Sequence, residues 1–228
     1  MPADPPAAPE SGHFELKDCA LIAIATGKRV LTVRELRDTL AVIRPDSVYY
    51  HFWGSLLQPR FDEREYNNHF AAWAWRGLHD APLAERLAVV DPTEFEGLEA
   101  LREELLEVIE QRIDESEALH WARAKEPFEF IRSQIVVFDT RKRLRHPEEL
   151  AEVTPTIAPS SIFYHFIDAR RRLHSSSDDF REWLNDFGGR YADLASRLAE
   201  VDPYFGTLTE LRQQLADLFQ GYFAGGSR

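Results

Sequence analysis

The stretch FELKDCALIAIATGKRVLTVRELRDTLAVIRPDSVYYHF, residues 14–52, has a counterpart in FEFIRSQIVVFDTRKRLRHPEELAEVTPTIAPSSIFYHF, residues 128–166. The two align without a gap at an offset of 114, with 13 of 39 positions identical, where chance gives about two or three. Tyr50-His51-Phe52 matches Tyr164-His165-Phe166, and Thr26, Lys28, Arg29 and Glu35 match Thr140, Lys142, Arg143 and Glu149. After a four-residue deletion the register resumes at an offset of 110, pairing Phe70 with Phe180, Trp73 with Trp183, Leu101 with Leu211 and Arg102 with Arg212. LAERLAVVDP at 83–92 answers LASRLAEVDP at 194–203. This pattern predicts a tandem duplication: a disordered tail over 1–13, a first repeat over 14–112, a linker over 113–127, a second repeat over 128–223 and a short tail over 224–228.

Equivalent positions should share a conformation, so each copy informs the other. Ala20–Ala25 alone suits helix or strand, but its partner QIVVF (134–138) is continuous, apolar and β-branched, which favours a buried strand. Thr26-Gly27-Lys28 then reads as a tight turn into a second short strand, Arg29–Leu31, closing a β-hairpin. Arg141 stands where the first copy has Gly27, which weakens that turn in the second copy. Helices are expected from Val33 and Pro147, with Glu35 and Glu149 answering the caps at Thr32 and His146. Further helices are expected from caps at Ser47 and Ser161, from Asn68 and Asp178, and through LAERLA and LASRLA. A long amphipathic helix follows, carrying Leu98, Leu101, Leu105, Val108 and Ile109, and Leu208, Leu211, Leu215 and Phe219. Asp91-Pro92 and Asp202-Pro203 are expected to start it. The class is α+β, predominantly helical: two copies of a hairpin plus about five helices, related by a pseudo-twofold axis.

Composition narrows the function. Fifteen Phe, seven Tyr and five Trp with 44% hydrophobic residues describe a folded chain. A net charge of -12 argues against general affinity for nucleic acid or anionic membrane, both of which need a basic footprint. No apolar run approaches the roughly 18 residues of a spanning helix. The thirteen acidic residues between Asp80 and Glu117 face only Arg86, Arg102 and Arg112, which reads as a solvated face or a docking surface for a basic partner. Cys19, the lone cysteine, reads as a buried structural thiol in a reducing cytoplasm.

The chemistry rests on the Tyr-His pair that both copies keep. On a helical wheel Val48, Tyr49, Phe52, Trp53 and Leu56 form the apolar stripe, and Tyr50 and His51 project away from it. Two readings stay open. In one, each imidazole and phenol bonds Asn67, Asn68 or Asp178 at the start of the next helix and ties two helices together. In the other, each copy holds a ligand pocket, from Tyr50, His51, Asn68 and Trp73 and from Tyr164, His165, Asp178 and Trp183. Only the second copy offers a carboxylate at the helix start, so a catalytic pair is not expected. His51, Asp62, Glu63, Glu65 and His69 fall into no metal-binding pattern, and no metal or other cofactor is expected. Asn68 and Asp178 also suit helix caps, and the Phe-x-x-Trp pairs suit core. Arg170, Arg171 and Arg172 suit an anion or an acidic helix, or simple salt bridges. Trp53 to Leu57, replaced by Ile167 to Arg171 in the second copy, suits an interface within the chain or a homodimer. No phosphate loop, dinucleotide fingerprint or nucleophile elbow occurs.

The motifs S-V-Y-Y-H-F-W-G, N-N-H-F-A-A-W and L-H-D-x-x-L-A-E-R-L, then S-S-I-F-Y-H-F-I-D-A-R-R-R and D-D-F-R-E-W-L, resemble those of an uncharacterised bacterial and archaeal family. That family is catalogued as a domain of unknown function, and the resemblance runs from Phe14 to Phe223. Relatives read N-D-F where this chain has Asn68-His69-Phe70, so a role for the aspartate is in doubt in the first copy. The resemblance implies no established activity or cofactor; some relatives are encoded near enzymes of trehalose or other sugar metabolism, which implies a regulatory or scaffolding role. With no catalytic set in view, the expectation is a cytoplasmic, non-enzymatic binding or regulatory protein with a protein partner, the alternative being a small-molecule sensor or enzyme using the Tyr-His pairs.

Overall fold

The structure is a computed structural model that describes residues 12–57, 65–173, 177–204 and 206–225. Residues 1–11 of the tail expected over 1–13, and the candidate ligands Asp62 and Glu63, lie outside the described residues. The elements in order are β1 (Phe14–Val30), α1 (Val33–Leu40), α2 (Pro45–Trp53), α3 (His69–Arg76), α4 (Ala81–Ala88) and α5 (Leu98–Glu115), then β2 (Phe128–Leu144). There follow α6 (Glu149–Val153), α7 (Pro159–Ile162), α8 (Ala169–Arg172), α9 (Asp179–Asn185), α10 (Ala192–Ala199) and α11 (Leu208–Gly225). A wide π turn, Phe163–Asp168, joins α7 to α8. The class is α+β and mainly helical, with β1 and β2 paired antiparallel in a two-stranded sheet. Among the described residues no helix is long and apolar enough to cross a membrane.

The chain divides into two compact units. One, the continuous unit, is Leu21–Val136; the other, the split unit, joins the chain up to Ala20 to the chain from Val137 onward. Each strand therefore begins in the unit whose helices come from the other half of the sequence. In the continuous unit α5 packs against α1, α2 and α4, and α3 against α4, around Leu36, Phe52, Phe70, Leu87, Leu105 and Ile109. In the split unit α11 packs against α6, α7 and α10, around Ile162, Phe166, Phe180, Leu198, Leu215 and Phe219. Each such side chain contributes about 1.5–3 kcal/mol by leaving water.

Several local expectations hold. Thr32 and Glu35 form a reciprocal capping box at α1. Glu149 accepts from the amides of Arg145 and His146 at 2.7 and 2.8 Å, but the helix expected from Pro147 begins only at Glu149, with Glu148 rather than His146 at its cap position. The Arg pair matched at the offset of 110 reaches back to loop carbonyls: Arg102 donates to Ala41 and Ile43, and Arg212 to Ile157 at 3.0 Å. Cys19 is buried, its thiol donating to the Ser160 carbonyl at 3.3 Å, and burial pushes its pKa up to about 12.

The hairpin expected within residues 20–31 is not formed. β1 runs unbroken for 17 residues, and the left-handed φ of 75° at Gly27 lies inside it. Arg141 takes the same conformation inside β2, with φ 62°. Thr26 Oγ1 accepts the Lys28 amide and donates 2.6 Å to the Phe130 carbonyl; Thr140 does the same with Lys142 and Leu16. A threonine that bonds the opposite strand in this way makes a glycine-type bulge, which kinks a strand without reversing it. The strand middles are less buried than expected, with Ile22 47% and Phe138 51% exposed.

Two cap expectations also change. Arg44 and Ala158 precede α2 and α7, while Ser47 and Ser161 sit one turn inside and are buried. Ser47 instead donates 2.8 Å to the Ile131 carbonyl of β2. Asp91 and Asp202 do not start the last helices: they accept the amides of Thr93 and Tyr204 two residues on, closing Asx turns ahead of α5 and α11. Gly27→Ala should cost about 1 kcal/mol, because an L side chain pays that much in the left-handed region while nothing around the added methyl repacks; thermal unfolding reads this as a melting point lower by several degrees.

Candidate functional site

The helix that carries each Tyr-His pair is buried on all sides, so the pair does not project to solvent as a simple wheel suggests. In the continuous unit every residue from Ser47 to Trp53 is buried. His51 and His165 are each 2% exposed. His51 Nε2 accepts the amide N–H of Ile131 at 3.2 Å, and its Nδ1 meets Nδ1 of His69 at 3.1 Å. His165 Nε2 accepts the amide of Lys17 at 2.8 Å, and its Nδ1 meets Asp179 Oδ2 at 2.7 Å. In each unit a helix imidazole satisfies a strand amide that the neighbouring strand leaves over.

These bonds set the tautomers. A nitrogen that accepts an amide hydrogen carries no proton, so a neutral ring holds its hydrogen on Nδ1 and donates it to Asp179 or His69. His69 then accepts at Nδ1 from His51. Burial, and next the charge of His69, hold His51 well below the usual imidazole pKa.

Of the two roles the sequence suits for Asn68 and Asp178, the structure shows the helix cap, and the histidines bond elsewhere. Asn68 caps α3 through the Ala71 amide at 2.9 Å and donates to the Leu87 carbonyl at 2.8 Å. Asp178 caps α9 through the Arg181 amide at 2.9 Å and pairs with its Nε at 2.6 Å, while burial pushes its carboxyl above the usual range. The histidines bond one residue further on, at His69 and Asp179. The sequence signal was available: Asp179 is the aspartate of the N-D-F motif, and His69 is where the first copy departs from it.

Aromatic rings close each site. Phe128 packs 4.6 Å from His51, 5.1 Å from Phe70 and 5.7 Å from Trp73. Phe14 packs 4.8 Å from His165, 5.3 Å from Phe180 and 5.2 Å from Trp183. Each of these strand-opening phenylalanines belongs to the opposite half of the sequence from the rings it meets. The Tyr neighbours differ. A Cβ at Gly54 would fall 2.5 Å from the Tyr50 ring, so only glycine permits that packing. Tyr164 instead has the Arg172 guanidinium 4.0 Å over its ring.

The arginine triplet is largely committed. Arg171 and Arg172 reach the buried Asp168 at 2.8 and 3.0 Å, and Arg172 also reaches Asp179 at 2.9 Å. Arg170 lies 5.2 Å over Phe166. Trp53, Gly54 and Ser55 are buried in the continuous unit and Leu56 and Leu57 are partly exposed, so of the interfaces this face suits, within the chain or between chains, the first accounts for its buried residues. No group of three or more His, Cys, Asp or Glu among the described residues is placed to hold a metal.

An open cavity of about 500 Å³ lies in the split unit, with Tyr164, His165 and Trp183 among its walls together with Lys17, Arg172 and Asp179. The indole N–H of Trp73 donates 2.9 Å to the Glu126 carbonyl; that of Trp183 has no acceptor among the described residues.

Fold and site together define a mainly helical α+β protein in which buried helix histidines clasp strand amides. The chain belongs to the family of unknown function DUF5752, whose model matches residues 11–220. It is similar in fold to the solved structure of OrfY from Thermoproteus tenax, at a TM-score of 0.81 and 24% identity, over 94% of this chain and 97% of that one. No curated protein matches the chain.

Replacing His165 with Ala strands the Lys17 amide and leaves Asp179 Oδ2 with Arg172 alone, and the expected loss is about 1–3 kcal/mol, read as a melting point lower by several degrees. A second expectation concerns acid. His51 is held neutral when folded and takes up a proton near pH 6.5 when unfolded, so its contribution is full above that value and falls as pH drops below it, by at most about 1.4 kcal/mol per pH unit. Denaturant titrations at pH 7.5 and 5.5 should show that decrement in the native chain and a smaller one in His51→Ala.

Proposed function

We propose that this chain is a cytoplasmic, non-enzymatic binding and regulatory or scaffolding protein, built from two copies of one unit, whose histidines are structural clasps. The observation that carries the reading is the full use of both imidazoles. Each spends Nε2 on a strand amide and Nδ1 on a side chain, so neither presents a free nitrogen to take a substrate proton. Catalysis by the Tyr-His pairs would require breaking a strand anchor.

The duplication, with repeats 14–112 and 128–223, is supported by equivalent residues making equivalent bonds at the offset of 114: His51 to Ile131 and His165 to Lys17, Thr26 to Phe130 and Thr140 to Leu16. Two equivalent strands paired antiparallel are what a pseudo-twofold relation requires of them. An acidic chain without a recognisable catalytic set suits a protein partner rather than nucleic acid or membrane. The family resemblance extends the proposal to sugar metabolism, trehalose included. A small-molecule sensor is the second reading, favoured by the open cavity beside Tyr164 and His165.

The test is purification from the native host with mass spectrometry of both proteins and small molecules. A partner protein is expected at a fixed ratio, and retained by His165→Ala at temperatures where that variant stays folded. A chemical turnover that His165→Ala abolishes without unfolding the chain would overturn the proposal.

A further inference from the structure

We infer that the groove between the end of α4 and the middle of α5 docks a basic amphipathic helix of a partner protein, which inserts one aliphatic side chain beside Val89. The inference rests on the binding reading proposed above, and names its surface and the chemistry of its partner. The groove lies wholly within the continuous unit and has a volume of about 260 Å³. That is below the roughly 300–1,000 Å³ of a small-molecule pocket and enough for a single large side chain. Its walls carry four apolar residues: Val90 is buried, Phe95 and Val108 are half-buried, and Val89 is 75% exposed. In LASRLAEVDP the position matched to Val89 is the exposed Glu200, so the turn after this helix does not itself require an apolar residue there.

Charge selects the occupant. The charged residues lining the groove are Arg86, Asp91, Glu94 and Glu104. Arg86 donates 2.9 Å to Glu115, and Asp91 accepts the amide and hydroxyl of Thr93 at 2.8 and 2.7 Å, so both are spent within the unit. Glu94 and Glu104 pair with no cation among the described residues. Gln111, also in the lining, donates 3.0 Å to Glu107. Glu107 belongs to an exposed row on α5, Glu103, Glu107 and Glu110, that likewise has no cation partner among the described residues. The one cation in the groove is therefore neutralised, and the field an incoming partner meets is that of the carboxylates.

The fold gains nothing from this row. Carboxylates one turn apart repel each other and weaken the helix that carries them. The long helix α11 packs in the same way without them: Gln213, Gln214 and Gln220 stand at the positions matched at the offset of 110 to Glu103, Glu104 and Glu110. A repulsion the fold does not need is relieved by cations brought from outside, and the apolar groove beside it supplies the anchor point. A helix fits both features at once, because it presents lysines or arginines at turn spacing along one stripe and an aliphatic side chain on the next.

The probe is the capped peptide Ala-Lys-Ala-Leu-Lys-Ala-Ala-Leu-Lys-Ala-Ala-Lys-Ala, a helix with leucines beside a lysine row, titrated into the full-length protein. The readout is the set of valine methyl signals in the NMR spectrum, with those of Val89 assigned by their loss in Val89→Ala. They should shift saturably at submillimolar peptide, and should not shift with a peptide carrying Gln at every Lys. Val89→Glu should weaken binding about tenfold, the worth of one aliphatic contact, whereas a purely electrostatic attraction would be tightened by the added carboxylate. Glu104→Gln should weaken binding about threefold at low salt and less at high salt, and Glu200→Gln, at an exposed position of the split unit, should leave it unchanged. Val89→Glu alters a residue that is 75% exposed and should keep the native melting point, so weak binding by a folded variant counts. No saturable shift at Val89, tighter binding by Val89→Glu, or an equal loss in Glu200→Gln overturns the inference. If a partner co-purified from the host keeps its affinity in both groove variants, the groove falls and the binding reading stands; if the peptide fails and no partner co-purifies, both fall.

Discussion

The hydrogen bond from a strand amide to the Nε2 of a buried helix histidine is the contact on which the rest of this structure depends. A two-stranded sheet leaves amides on both strands without a ladder partner, and such a sheet alone is marginal in water. Here Ile131 and Lys17 give their amides to His51 and His165, and Phe128 and Phe14 place their rings against the same imidazoles. Polar and apolar contacts thereby lock each strand to the helices of the other half of the chain. The histidine serves because it offers an acceptor on one side of a flat ring and a donor on the other, and so passes the polar connection on to Asp179 or His69.

That arrangement explains why Tyr-His-Phe occurs at both places while the residues around it differ. Phe52 and Phe166 fill the two cores, the histidines hold the strands, and the tyrosine rings pack in the remaining space. The differences appear around the tyrosines. Gly54 makes room for the Tyr50 ring, whereas Asp168 at the matching position gathers Arg171 and Arg172, which brings a guanidinium over Tyr164. The charged cluster and the open cavity both lie in the split unit.

Much of this was legible along the chain. Helical periodicity located the α5 and α11 cores, the Thr32–Glu35 spacing announced a capping box, and Asn68 and Asp178 were readable as caps, because each is a short-range relation with a fixed residue spacing. The hairpin was misread because Thr-Gly-Lys is as good a bulge as a turn. The choice between them depends on whether the strand across the ladder continues, which local sequence does not contain. Ser47 was misread for a related reason: its hydroxyl had a partner 84 residues away that outcompeted the local cap.

By itself, then, the amino-acid sequence determined the predominance of helix and which polar residues recur at the offset of 114, since these are matters of residue identity and spacing. Only the tertiary structure decided that each strand opens in the unit of the opposite half, that His69 and Asp179 rather than Asn68 and Asp178 hold the imidazoles, and that the Trp73 indole meets the Glu126 carbonyl. The physical reason is that a hydrogen bond between distant residues is fixed by packing geometry, and no spacing along the chain encodes it.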